Sequence, residues 1–371
     1  MEDTQDSRGV LMRSSRNPSD RRRSRSAGPS HRDAGYEDAY AASRRYRDQG
    51  HEPSVPTYAS PKEGGGLVAD RDIAKGTCFI EEEPVIVATA EQLTADPWSL
   101  ALLLENQFRQ LPRPKAEKYL TFDSPPEALS AEAREAIRAG VHSSWNDIGL
   151  DCETYFTTIA GIFERRRCEL GSSAGYGVFN HFNRIRQSCM PNATFRYRAA
   201  EGKITIHAVR DIAVGEEIKL SFIDERAPRE VRIRELLAKG LTCDCPACHG
   251  PRAQEHEFRR QKLWVIGRVL RIMRRDEVDG RVTTPSRLPM EELAAASLAL
   301  MYVNTMLEAG LYNMALATAY YDCAIFCLRA NLPDEANFCR GRAHEVALCC
   351  GLEDDEEEEW SEEGSSDGED E

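Results

Sequence analysis

The sequence lacks an apolar run long enough to cross a membrane. The longest run, residues 294–303, is interrupted by Ser297 and is about half of the ~20 residues that a spanning helix needs. We identify no amino-terminal targeting helix, and twelve cysteines in a chain without a secretory signal are typical of a reducing compartment. We therefore expect an intracellular protein of the nucleus or cytoplasm, with no membrane partner, whose thiols bind metal or fill the core.

Both ends of the chain lack the apolar periodicity of a folded domain. Residues 1–62 are rich in Arg and Ser, whereas residues 353–371 hold thirteen acidic residues and no Lys or Arg. Such segments bury too little apolar surface to offset chain entropy, so we expect a disordered arm and a disordered acidic tail. The basic run at 21–25 is interpreted either as a localisation or nucleic-acid contact or as solvated charge. Outside this arm we expect no direct nucleic-acid binding.

Between the ends, strand patterns give way to helical patterns. Short β-branched and aromatic runs predict strands at 78–80, 84–87, 193–197 and 203–209, followed by an extended segment at 215–223. Helical stripes at 97–111, at 130–139 and after Asp151 interrupt these strands and predict a helical insertion between about 90 and 165. After Gly250, three helical segments separated by Gly310 and Asn331 predict antiparallel helices at 293–308, 312–329 and 333–349.

Three cysteines within six residues form the most specific chemical motif. Cys243, Cys245 and Cys248 supply three soft ligands, and a tetrahedral zinc ion needs a fourth from elsewhere in the chain. Cys189 is the candidate for that position. His249 is an alternative ligand, although we expect it on the surface. The motif therefore predicts a structural zinc site.

Four motifs, in one order along the chain, carry a family resemblance. The first motif is the glycine-rich segment 64–67 together with residues 71–76. The other three are the segment 188–192, the segment 208–218 that contains Gly-Glu-Glu, and the cysteine run. Together they resemble a SET domain, the lysine methyltransferase fold, with its post-SET zinc segment. The resemblance is to the SET-and-MYND branch, but between Cys78 and Cys189 the chain has only Cys152 and Cys168, so it lacks a MYND finger.

The resemblance implies a fold, a cofactor and a set of site residues. The expected fold is α+β: a β-rich domain with pseudoknot-like threading and a helical insertion, followed by a helical domain. The expected cofactors are S-adenosyl-L-methionine and Zn²⁺, with Cys189 as the fourth zinc ligand. The residues at the family's cofactor positions are Gly64, Gly66, Arg186, Gln187 and Phe222.

Three residues depart from the family pattern. Arg186 and Gln187 replace an Asn-His pair at the cofactor, and Phe222 occupies the position of the catalytic tyrosine without its hydroxyl. Tyr176 and Tyr197 are candidates for a replacement hydroxyl. Despite these departures, the resemblance predicts a protein-lysine methyltransferase whose substrate is a protein such as a histone or another basic protein. The alternative is a catalytically impaired scaffold that retains the fold.

The predicted organisation has five parts. They are a disordered arm at 1–62, the SET domain at 63–235 with its insertion at about 90–165, the post-SET zinc segment at 236–252, a helical domain at 253–352 and an acidic tail at 353–371.

Overall fold

The computed structural model describes residues 66–144, 150–171, 175–274 and 289–352. Gly64 and both terminal segments lie outside these ranges. The strands are β1 Cys78–Glu82, β2 Ile86–Ala88, β3 Cys168–Glu169, β4 Tyr176–Val178, β5 Arg186–Gln187, β6 Ala193–Arg198, β7 Lys203–Ala208 and β8 Lys219–Leu220. The helices are α1 Ala90–Leu93, α2 Pro97–Gln110, α3 Arg113–Tyr119, α4 Ala131–Ser144, α5 Leu150–Arg166, α6 Arg229–Ala238, α7 Pro246–His249, α8 Ala253–Arg274, α9 Pro289–Glu308, α10 Met314–Arg329 and α11 Pro333–Cys349.

The strands form three small sheets, and the first core lies mainly on the sheet of β1, β6 and β7. β7 lies between β1 and β6 in an antiparallel sheet, and its Ile206 lies opposite both Ile80 and Phe195. β4 lies between β2 and β3 in a second antiparallel sheet. β5 and β8 pair in parallel, with Arg186 opposite Lys219. This last pairing brings the segment before Cys189 next to the segment that follows the Gly-Glu-Glu motif.

Helices α2 to α5 pack on the second sheet and form a second core. Helix α2 begins after Asp96, whose carboxylate accepts hydrogen bonds from the backbone N–H groups of Trp98 and Ser99 at 3.1 and 3.0 Å. Its Leu104 and Phe108 lie four residues apart and are buried against α5. The capped start and the apolar stripe together explain why the sequence is helical here.

The last four helices form a third core. Asn313 caps α10 by accepting a hydrogen bond from Leu316 N at 3.1 Å, and α10 packs against both α9 and α11. None of the helices within the described ranges is long and apolar enough to span a membrane.

The α+β prediction is confirmed, and the differences from the expected elements are local. The sequence analysis did not predict α3 or α6, each of which follows a proline that starts the helix. The Gly-Glu-Glu segment, expected to be extended, contains only the two-residue strand β8, with one further isolated bridge between Val68 and Glu217. The domain boundaries given above stay predictions.

Candidate metal centre and active site

The structure brings four cysteines from two separate segments together. Cys189 follows β5, whereas Cys243, Cys245 and Cys248 surround the start of α7. All four Sγ atoms lie within 4.8 Å of one another. The Cys189 Sγ is 3.8 Å from that of Cys243 and 3.6 Å from that of Cys248. Zinc–sulfur bonds of ~2.3 Å place the corners of a tetrahedron ~3.8 Å apart, so the donor set and its spacing fit a Zn²⁺ ion.

The turn around α7 explains how the chain presents these thiols. Cys245 occupies the N-cap position, and its carbonyl accepts hydrogen bonds from Cys248 N and His249 N at 2.9 and 3.0 Å. This tight turn directs Cys245 and Cys248 to the same side. His249 is exposed and does not belong to the cluster, as expected for a surface residue.

Two fully buried arginines lie beside the cluster. Arg260 donates to the backbone carbonyls of Cys189 and Glu225, both at 2.8 Å. Arg232 donates from Nη1 to the Ala227 carbonyl at 2.6 Å, but its Nε and Nη2 have no nitrogen or oxygen acceptor in the described part of the chain.

Buried cations need anions nearby, since an unpaired buried charge is costly. Burial lowers the pKa of Arg232, yet the charges of Cys189 and Cys248 outweigh that effect and raise its pKa overall. The thiol cluster thus supplies part of the negative charge that Arg232 requires, and the Glu257 carboxylate, whose Oε2 is 3.7 Å from its Nη1, supplies another part. This electrostatic setting also fits a zinc ion, because a four-thiolate zinc centre carries two net negative charges.

The thiols themselves respond to this crowding. Hydrogen bonds from Cys189 and Cys243 hold the pKa of Cys245 far below the ordinary thiol value and lower that of Cys248 to about 6, whereas hydrogen bonding within the cluster raises the pKa values of Cys189 and Cys243. Two of the four groups are thereby predisposed to act as thiolate ligands at neutral pH.

The residues predicted for the cofactor lie at one end of the β5–β8 pair. Arg186 forms an ion pair with Glu217 directly over Gly66. A Cβ atom at position 66 would collide with the Glu217 Oε1 and lie 3.3 Å from the Arg186 Nε, so a larger residue here would displace this ion pair. Gln187 accepts a hydrogen bond from Phe222 N at 2.7 Å through its Oε1.

Two donors at this end are suited to an anionic ligand group. Gln187 is buried, and its Nε2 has no hydrogen-bond partner among the described residues. Arg186 is half-exposed and carries a guanidinium that matches a carboxylate. These two residues therefore fit the methionine carboxylate of S-adenosylmethionine. Arg186 would pair with that carboxylate in place of the Glu217 carboxylate. The position of Gly64 lies outside the described residues.

Asn192 holds the loop that carries Cys189. Its side-chain amide donates to the Glu216 carboxylate at 3.0 Å and to the Glu217 carbonyl at 2.9 Å, and it accepts from Lys219 N at 2.8 Å. The Pro191-Asn192 pair of the motif therefore joins the cysteine loop to the Gly-Glu-Glu segment.

Phe222 lies in an aromatic cluster. Its ring centroid is 5.6 Å from that of Phe182 and 6.1 Å from that of Phe195. The two candidate replacement tyrosines are elsewhere. Tyr176 packs with the insertion helices under Arg167, and Tyr197 packs against the first core. Within the described residues, no ring contact or hydrogen bond joins either tyrosine to Phe222.

A cavity of about 190 Å³ lies between the sheets and helix α10. From the sheet side it is lined by Pro191, Ala193, Thr194, Phe195, Ser221 and Glu225, and from the helical side by Tyr312, Asn313, Met314 and Ala315. The sequence analysis did not identify Glu225, Tyr312 or Asn313. No local pattern could have done so, because the start of α10 meets the sheets only through packing of the whole chain.

The comparison with known families agrees with this geometry. The model of the SET domain matches residues 64–223. Residues 64–223 are therefore a SET domain.

Several curated proteins are similar to part of the chain. The chain is 31% identical over 124 residues to the SET domain and MYND-type zinc finger protein 6 of Schizosaccharomyces pombe, a stretch covering 29% of this chain and 25% of that protein. It is 34% identical over 127 residues to the N-lysine methyltransferase SMYD2-B of Danio rerio, covering 32% of this chain and 28% of the relative. It is also 36% identical over 73 residues to the histone-lysine N-methyltransferase set5 of S. pombe, covering 19% and 23%. The chain thus spans about a quarter of the length of these curated relatives.

Proposed function

We propose that this protein is an S-adenosylmethionine-dependent protein-lysine methyltransferase. The observation that carries the proposal is the meeting of Gly66, Arg186, Gln187 and Phe222 at one end of the β5–β8 pair, beside the four-cysteine cluster. The match to the SET domain and the names of the relatives support the reaction class. We propose a histone or another basic protein as the substrate.

Each group has a defined task in this proposal. S-adenosylmethionine supplies an electrophilic methyl group on a sulfonium when bound. Arg186 and the Nε2 of Gln187 would hold its carboxylate. The rings of Phe222, Phe195 and Phe182 exclude water around the target amine, which favours the neutral form that can act as a nucleophile.

We further propose that Cys189, Cys243, Cys245 and Cys248 bind one structural Zn²⁺. The ion would tie the loop after β5 to the segment before α8, and thus hold the walls of the site together. Cys245→Ser should lose zinc and expose residues 236–252 to proteases. Cys152→Ser is the matched control, because Cys152 lies outside the cluster. A variant at 245 that keeps a full zinc equivalent, measured by atomic absorption, would contradict the assignment.

A second function is favoured by one observation. The Arg186–Glu217 ion pair already occupies the space next to Gly66, and Phe222 offers no hydroxyl. A scaffold that keeps the SET fold without turnover would look the same.

Calorimetry separates the two functions. We expect the zinc-loaded chain to bind S-adenosylmethionine and to transfer labelled methyl groups to histones. Arg186→Ala should weaken cofactor binding, whereas Arg210→Ala, which removes an exposed ion pair with Glu216 nearby, should not. If a folded, zinc-loaded chain does not bind the cofactor at millimolar concentration, the methyltransferase proposal is wrong and the scaffold function remains.

A further inference from the structure

Glu225 is a buried carboxylate on the wall of the cavity between the SET domain and α10. Only 6% of the residue is exposed, and burial raises the pKa of its carboxyl above the ordinary value. It follows β8 closely in the chain and lies next to Ser221 and Asn313 in the cavity lining. Burying a charge without a partner is costly, so we expect a carboxylate in this position to have a binding or structural role.

The protein itself supplies Glu225 with one neutral donor. Asn313 Nδ2 donates to its Oε1. Three cations lie near this carboxylate. Arg226 binds the Asp224 carboxylate through Nε and Nη2 at 2.8 and 3.1 Å, and Arg260 donates to the backbone carbonyl of Glu225. Lys75 lies with its Nζ 4.9 Å from the centroid of the Tyr312 ring. In the part of the chain that the structure describes, the Glu225 carboxylate forms no ion pair.

The cavity has the size and walls of a pocket for one side chain. Its volume of about 190 Å³ is below the ~300–1,000 Å³ typical of small-molecule sites. Phe195 supplies an aromatic wall, which suits the aliphatic stem or the charged head of a basic side chain. One face of the Tyr312 ring already carries the chain's own Lys75. Phe195 also packs against Phe222, so the cavity adjoins the proposed reaction centre.

We propose that this cavity binds a second basic side chain of the substrate, through an ion pair with Glu225, and thereby selects lysines that have a basic residue nearby. The proposal rests on the proposed methyltransferase function and deepens it by naming a substrate class. A bound guanidinium or ammonium would provide the charge partner that Glu225 lacks in the chain alone.

A purely structural role is the competing explanation. Glu225 and Asn313 link the SET domain to the cap of α10, and this contact alone could justify a polar residue. Glu225→Gln distinguishes the two roles, because a glutamine keeps the oxygen that accepts from Asn313 and replaces the other oxygen by a neutral NH2 group, which removes the negative charge.

Peptide binding to the zinc-loaded full chain tests the proposal, measured by calorimetry with S-adenosylhomocysteine present. The probes are glycine-rich peptides with one central lysine, in which a single arginine is moved residue by residue to either side. We expect wild type to favour one arginine position over the lysine-only peptide by about ten-fold or more. Glu225→Gln should lose that preference and keep the affinity for the lysine-only peptide. Glu230→Gln, an exposed acid at the start of α6, should retain the preference.

Citrulline in place of the favoured arginine gives an independent arm on unmodified protein, because it keeps the shape and removes the charge. Loss of the preference with citrulline supports the ion pair even if a Glu225 variant fails to fold. An equal affinity for all peptides, or a preference that survives Glu225→Gln, overturns the proposal. Selective peptide binding without methyl transfer would contradict the proposed methyltransferase function and still support the proposed pocket at Glu225.

Discussion

At the scale of single residues, substitution of Phe222 can show whether the site catalyses methyl transfer. Its ring packs between Phe182 and Phe195, and its backbone N–H is held by Gln187, so its placement does not depend on a hydroxyl. A tyrosine here would add one polar atom at the edge of an aromatic cluster. The consequences can therefore be measured without rebuilding the site.

Phe222→Tyr should raise the methyl-transfer rate or change the number of methyl groups added. A hydroxyl that takes part in proton management contributes ~10²–10⁴ in rate, so we expect a gain of about ten-fold or more in a working enzyme. Mass spectrometry of a labelled histone reports both quantities. Phe195→Tyr is the control, since it adds a hydroxyl to the neighbouring ring. Unchanged turnover in both variants would speak for the scaffold.

Glu225 should make folding stability depend on pH in an unusual direction. Because burial raises its pKa above the ordinary 4.5, the folded state binds the proton more tightly than the unfolded state. Its contribution to stability is then fully present below about pH 4.5 and is lost as the pH rises through the folded-state pKa. Glu225→Gln should therefore melt at a higher temperature than wild type at pH 7.

Thermal melts over a pH series measure this effect. The stabilisation by Gln should shrink as the pH falls towards 4.5, the ordinary value. Glu230→Gln should show no comparable trend, because that carboxyl is exposed. A Glu225→Gln variant that is less stable than wild type at pH 7 would indicate a stabilising charge partner that the structure does not show.

Some of the site residues could be predicted from the sequence, and others could not. Cys243, Cys245 and Cys248 are recognisable because ligand spacing is local, and Cys189 becomes recognisable only through the family motif around it. Glu225 and Tyr312 carry no motif. Their roles depend on which surfaces meet after folding, and no spacing rule encodes that.

At the scale of elements, capped and amphipathic helices are the predictable part. Helix α2 has both an Asp96 cap and an apolar stripe, and its predicted span of 97–111 differs from the structure by one residue. The two-residue strand β5 was not predicted as a strand, because so short a segment has no periodicity, and β8 is only a short part of the extended segment expected there. Their parallel pairing, on which the candidate site depends, follows from the tertiary fold.

Two helical glycines provide a matched test of packing against propensity. A Cβ at Gly140 in α4 would lie 2.1 Å from Cδ2 of Trp98, whereas one at Gly341 in α11 would meet no atom within 4 Å. Alanine is favoured over glycine in a helix by ~1 kcal/mol. Gly341→Ala should therefore stabilise the protein by up to ~1 kcal/mol.

Gly140→Ala should do the opposite, because the collision with the indole ring outweighs the gain in propensity. We expect a loss of about 1–3 kcal/mol, as for overpacking in other cores. Urea unfolding of both variants measures the difference. Equal stabilisation by the two substitutions would show that the Trp98 ring can move aside at little cost.

At the scale of the whole molecule, Arg260 connects three units. It lies on α8 at the start of the helical domain, donates to the Cys189 carbonyl beside the thiol cluster, and donates to the Glu225 carbonyl beside the cavity. A third bond runs to the His256 carbonyl at 3.2 Å. The proposed zinc site, the proposed substrate pocket and the helical domain thus share one buried guanidinium.

Arg260→Ala should weaken all three units together. It would leave buried carbonyls without donors and remove a cation from beside the thiolates, so we expect a loss of about 3 kcal/mol or more in unfolding free energy. Zinc should also transfer faster to a chromogenic chelator, because the Cys189 loop loses its anchor. Arg259→Ala, which breaks a more exposed pair with Glu255 one helical turn away, should cost about 0.5 kcal/mol or less and leave zinc release unchanged. If zinc release were as slow in the Arg260 variant as in the Arg259 variant, the coupling through this guanidinium would be refuted, and the three units would have to be treated as independent.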